Sequence, residues 1–175
     1  MAAEMFTYTY YLIWLVFITI AVFDAREHRI PNYALLLVLV TAIIHKAFSA
    51  SPAPSLIEAF IGALFMFGFS FVFFMLRAMA PGDVKLLGVV GFVVGWHHLL
   101  DTAFWIAVST VIVGSFYAVY RLAERPELAQ TTMFKYSVIV SGKGRDLISN
   151  DVGANKLRMP FAPIVVIGLA LHQYF

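Results

Sequence analysis

The feature that most constrains this chain is the spacing of its apolar runs. Six of them follow one another with mostly short polar breaks, at about residues 7–23, 33–48, 56–76, 81–98, 99–120 and 160–175. A helix that crosses a bilayer needs about 20 mainly apolar residues. Inside lipid, only helices and closed barrels satisfy their own backbone hydrogen bonds. Hydrophobic residues make up 62% of the chain and charged residues 13%, too few charges to cover a soluble surface. The expected fold class is therefore all-α, a polytopic membrane protein of about six transmembrane helices. It is read as a single membrane-embedded domain, 1–175.

The distribution of Lys and Arg orients the runs. Eleven of the twelve lie after the first, third and fifth runs: Arg26 and Arg29, then Arg77 and Lys85, then Arg121, Arg125, Lys135, Lys143, Arg145, Lys156 and Arg158. The opposite side receives only Lys46. Cytoplasmic links collect basic residues, so these three are expected in the cytoplasm and both termini outside. The first run has no basic n-region and no small-residue cleavage site, and is read as a retained helix rather than a cleaved signal peptide. The segment 121–158 is the one sizeable polar region and is expected to be a cytoplasmic loop. Its "SGKG" lacks the spacing of a phosphate-binding loop. The net charge of +2 gives no support to a nucleic-acid partner. Without cysteine, disulfides, zinc–thiolate sites and thiol nucleophiles are excluded.

The carboxylates carry the functional signal. Asp146 and Asp151 lie in the polar loop and read as solvated. His97 and Asp101, in "HHLLD", are four residues apart at the outer ends of two helices. That pair is weak ground for a metal, and no metal is expected. Asp24 ends the first run and Asp83 begins the fourth, so both fall at the same depth on the cytoplasmic side. Ionisable groups at membrane depth are costly, and they usually face protein or a water-filled cavity. Two apposed carboxyls share a proton because like charges cannot both ionise cheaply. Such a pair can activate water for attack on a peptide carbonyl and protonate the leaving amine. Helix-end fields favour an anion at Asp83, in the first turn after Pro81, over one at Asp24, near a helix C-terminus.

Three segments then carry a resemblance. "FDAREHRIPN" (23–32) looks like the first motif of the type IV prepilin peptidases and the related preflagellin peptidases, "APGDVKLLG" (80–88) looks like their GxGDxKL motif, and "LRMPFAPIVVIG" (157–168) looks like their closing P-x-A-P helix. The resemblance implies a membrane aspartyl endopeptidase with Asp24 and Asp83 as its catalytic pair. Gly82, Lys85, Glu27, Pro31 and Asn32 are then expected to bind substrate or support the site. It implies prepilin-like substrates, cut between a basic leader and a hydrophobic helix at the cytoplasmic face of a prokaryotic inner membrane. No cofactor is implied, and membrane lipid is the expected surrounding. One residue departs from the motif: Ala80 stands where the family has its first Gly. The link between the first two helices is short and lacks the CxxC insert of the larger members, so no methyltransferase activity is expected.

Two other readings compete. A non-catalytic scaffold or assembly factor of a pilus or secretion system would treat the two aspartates as ordinary helix-end charges. A transporter would want polar residues or broken helices near the bilayer midplane, and the helix interiors offer mostly Ser, Thr and Gly.

Overall fold

The computed structural model describes residues 2–49, 51–124 and 160–174, and among them all regular structure is helical. The elements are α1 (Ala2–Glu27), α2 (Asn32–Ala47), α3 (Pro52–Met75), α4 (Pro81–Val94), α5 (Leu99–Glu124) and α6 (Ala162–Tyr174). The chain divides into two compact units, Met1–Thr110 with Pro160–Phe175, and Val111–Met159. In the second unit the described residues are the C-terminal half of α5. The first unit holds every site considered below. The expected polar loop lies outside the described residues from 125 onward, together with Lys135, Lys143, Arg145, Lys156, Arg158, Asp146 and Asp151.

Three helices, Glu4–Glu27, Pro52–Met75 and Leu99–Tyr120, are long and apolar enough to cross a membrane, while α2 and α6 are apolar but shorter. At 14 residues, α4 is only about 21 Å long. It stops at Val94, short of the expected His98, because Gly95 adopts φ 81°, a left-handed conformation that suits glycine and ends helices. At its other limit α1 runs past Asp24 to Glu27, and His28 closes it with φ 50°.

Successive helices run antiparallel, and contacts at each end of the bundle fix the alternation. Thr9 near the start of α1 meets His45 near the end of α2 at 2.9 Å. Glu58 near the start of α3 meets His97, just beyond α4, at 3.2 Å. The core is built from one face of each helix, including Phe17 and Ile20 of α1, Val38 of α2, Val90 of α4 and Val165 of α6. The outside of α3 is strongly apolar: Phe65, Phe67, Phe69, Phe71, Phe73 and Phe74 are all exposed. A large exposed apolar face marks an interaction surface in a soluble protein. On a helix of spanning length it suits lipid.

Small residues set the closest approaches. A Cβ added at Gly62 of α3 would lie 2.5 Å from the carbonyl oxygen of Gly91 in α4. One added at Gly168 of α6 would lie 2.7 Å from the Cα of Ile106 in α5. Such backbone contact is the usual basis of tight helix packing in membranes, where lipid competes equally for apolar side chains. The α5–α6 contact is reinforced by Ser109 Oγ, which donates to the Ile164 carbonyl at 2.9 Å.

Gly62→Ala is expected to destabilise the fold by about 1–3 kcal/mol through overpacking. Gly68→Ala on the same helix meets no atom within 4 Å and is expected to stabilise it by roughly 0.5–1 kcal/mol. Unfolding of the two variants in detergent measures both. Equal effects would remove the α3–α4 backbone contact from this account.

Candidate active site

Asp24 lies on the same face of α1 as Phe17 and Ile20, three and four residues along the helix from its neighbours in that row. The pattern that drives those residues inward takes Asp24 with them, and it is only 5% exposed. A buried carboxyl needs a hydrogen-bond partner in place of water. The backbone N–H of Ala162 provides one, donating to Asp24 Oδ2 at 2.8 Å. Ala162 opens α6, and the first N–H groups of a helix have no partner within it. An orphan donor and an orphan acceptor, 138 residues apart, therefore satisfy each other.

Asp83 is the third residue of α4 and is half-buried. Its Oδ2 accepts a long hydrogen bond of 3.4 Å from the Ala80 N–H. The charge of Asp24 reaches it electrostatically. The structure thus brings the two carboxyls expected to pair to the same end of the bundle. The bias expected from the helix ends loses its basis, because Asp24 also faces a helix N-terminus, that of α6.

Two further expected residues touch. Lys85 of α4 donates to Asn32 Oδ1 at the start of α2, at 3.2 Å. Pro31 is the N-cap of α2, with φ −70° and ψ 127°, and its carbonyl accepts the Ala34 N–H at 3.1 Å. Glu27 ends α1 beyond Asp24 and is exposed. Among the described residues, no hydrogen bond or ion pair joins it to the other expected site residues.

The two motif positions before Asp83 have a plain backbone explanation. Ala80 has φ −79° and ψ 152°, an extended conformation open to any residue and the one favoured before proline. Glycine's freedom is not used at this position, so Ala in place of the motif Gly introduces no strain. At Gly82 an added Cβ would sit 3.7 Å from Ile30 side-chain atoms, an ordinary contact. Packing within the chain therefore leaves room for a Cβ at this position. Its neighbour is the Ile of the Ile-Pro-Asn segment, which lies against the start of α4.

Sequence reasoning missed the role of Ala162. The signal was present in the prolines that bracket it, which mark a helix start, but no spacing rule says which carboxylate that start will meet. At the opposite end of the bundle, the face considered for His97 and Asp101 does not form. His97 Nε2 pairs with Glu58 Oε1 at 3.2 Å, and Asp101 groups with His98 and His172.

An all-helical bundle with lipid-suited faces and three helices of spanning length defines a membrane protein, and two carboxyls lie at one end of it. The chain belongs to the type IV leader peptidase family, whose sequence pattern matches residues 10–119. That span contains both Asp24 and Asp83, along with the Lys85–Asn32 tie, and ends before α6. No curated protein and no solved structure matches the chain.

Ala80→Gly, which restores the family's motif, is expected to gain nothing. It should lower stability by about 0.4–1 kcal/mol through greater freedom of the unfolded chain. Denaturation in detergent reads this directly, and a stabilised variant would mean that position 80 is strained.

Proposed function

We propose that this chain is an aspartyl endopeptidase that removes the basic leader from prepilin-like precursors. The observation that carries the reading is the buried Asp24 carboxyl, oriented by the Ala162 N–H and within electrostatic reach of Asp83, in a chain of the type IV leader peptidase family.

In this reading Asp24 and Asp83 share a proton. The ionised carboxyl takes a proton from water, and the resulting hydroxide equivalent attacks the scissile carbonyl carbon. The protonated carboxyl donates a hydrogen bond to the carbonyl oxygen as it gains charge. Collapse of the tetrahedral intermediate breaks the C–N bond, and the amine leaves with a proton from the pair. No covalent enzyme intermediate forms and no cofactor takes part.

The remaining site residues act around this pair. Lys85, tied to Asn32, braces the start of α4 against the start of α2 and sets a fixed positive charge near the site. Pro31 fixes where α2 begins. Gly82 leaves the first turn of α4 without a side chain on that side. Glu27, exposed at the end of α1, attracts the basic leader. The basic residues expected on the cytoplasmic side support a site at that face of a prokaryotic inner membrane, in a multi-pass domain. A peptide bond just before a hydrophobic helix would be presented at that depth. The short α1–α2 link and the lack of cysteine support a peptidase without N-methyltransferase activity.

Asp24→Ala and Asp83→Ala are each expected to lower the cleavage rate by roughly 10²–10⁴-fold. The assay incubates the purified protein with a prepilin and follows leader loss on a gel. Cleavage surviving both substitutions would exclude the pair. An inactive wild-type protein that still supports pilus assembly in cells would favour the scaffold reading.

A further inference from the structure

At the end of the bundle opposite Asp24 and Asp83, three side chains converge that the cleavage chemistry does not use. Each of His98, Asp101 and His172 offers a ligand atom, and these atoms all lie within 4.8 Å of one another. His98 directly precedes α5, and Asp101 lies three residues on, one turn along the same face. His172 belongs to the last turn of α6. The two imidazole rings stand edge to face, with centroids 5.9 Å apart. All three residues border a cavity of about 940 Å³ that also reaches Tyr10, Trp14 and His45.

We propose that His98, Asp101 and His172 form a binding site for a divalent transition-metal ion, with Zn²⁺ the best match. Two imidazoles and a carboxylate are a donor set that suits zinc, with ligand bonds of about 2.0–2.2 Å. Tetrahedral ligands at that range stand about 3.3 Å apart, so small side-chain rotations close the observed cluster around an ion. The cavity gives water access to the remaining coordination position. The C-terminal end of α6 carries the partial negative charge that favours a cation, and Asp101 answers the opposing positive end of α5.

The scaffold holding the ligands is rigid. Gly168, one turn before His172, is in backbone contact with Ile106 of α5. The Ser109–Ile164 hydrogen bond locks the same two helices further along. Thr102, fully buried beside Asp101, donates to the His98 carbonyl at 2.8 Å and fixes the turn that carries His98 and Asp101. Ligands on fixed elements are what a metal site requires of its fold. His97, next in sequence to His98, points elsewhere and pairs with Glu58, which makes it the natural control.

The site is independent of the protease reading. Ten residues of α6 separate His172 from Ala162, about 15 Å along the axis. A bound ion would tie the last turn of α6 to the first turn of α5. It would thereby steady the helix whose other end orients Asp24.

The test uses the full chain, made without a polyhistidine tag, solubilised in detergent and stripped with a chelator. Titration with Zn²⁺ in a calorimeter should show one site per chain, and Co²⁺ should give a visible spectrum of nitrogen and oxygen ligation. His98→Ala and His172→Ala should each weaken Zn²⁺ binding at least tenfold, and Asp101→Asn should weaken it by a smaller factor. His97→Ala should bind as the wild type does. Zn²⁺ should also protect His98 and His172, but not His97, from acylation by diethyl pyrocarbonate in the unmodified chain. That measurement stands even if a variant fails to fold. Lack of stoichiometric binding by the wild-type chain, unchanged binding by the His98→Ala/His172→Ala pair, or equal loss in His97→Ala would each overturn the proposal.

Discussion

The hydrogen bond from the Ala162 N–H to the Asp24 carboxylate is the interaction around which the rest of the site is arranged. It solves two problems of a chain immersed in an apolar medium at once. A helix must begin somewhere, and its first donors must be met. A carboxylate carried inward on the core face of α1 must find a donor in place of water. Because α6 supplies that donor, the last described helix is drawn to the end of the first, and the fold closes where the chemistry is proposed. The same contact fixes the orientation of the Asp24 carboxyl through its Oδ2.

Packing elsewhere follows from the same scarcity of strong forces. Apolar side chains gain little by meeting one another when lipid is the alternative, so specificity comes from where backbones touch. Gly62 against Gly91 and Gly168 against Ile106 are such places. The aromatic surface of α3, by contrast, carries no register information within the chain and turns outward.

Much of this was legible in the sequence. Apolar runs matched the six helices of the described residues and most of their limits, because run length is set by the solvent they face. Asp24 and Asp83 stood out because charge is rare in such runs, and both now lie at one end of the bundle. What escaped was decided by tertiary geometry. The tie between Lys85 and Asn32 joins two helix starts whose neighbourhood no periodicity reports. The donor for Asp24 is a backbone N–H, which every residue but proline has, so residue identity could not single it out. His98 and Asp101 carry a visible spacing, yet the attention that spacing drew went to His97, and only the fold brings in His172. Ala80 was suspect from motif comparison alone, and its φ of −79° makes it unremarkable.

The glycine contact between α3 and α4 has a mechanical consequence. It welds those helices into one lever that carries Asp83. On the other side, Ala162 and the core face of α1 join α1 and α6 into a second lever that carries Asp24. The two aspartates thus sit on different helix pairs, with α2 packed against α1 and α4 and the Lys85–Asn32 bond tying α4 to α2. The gap between the carboxyls then depends on how the helix pairs are set as well as on either residue's own rotamer. A change far out on the Gly62–Gly91 seam would shift the start of α4, and Asp83 with it, with no atom of the proposed site altered.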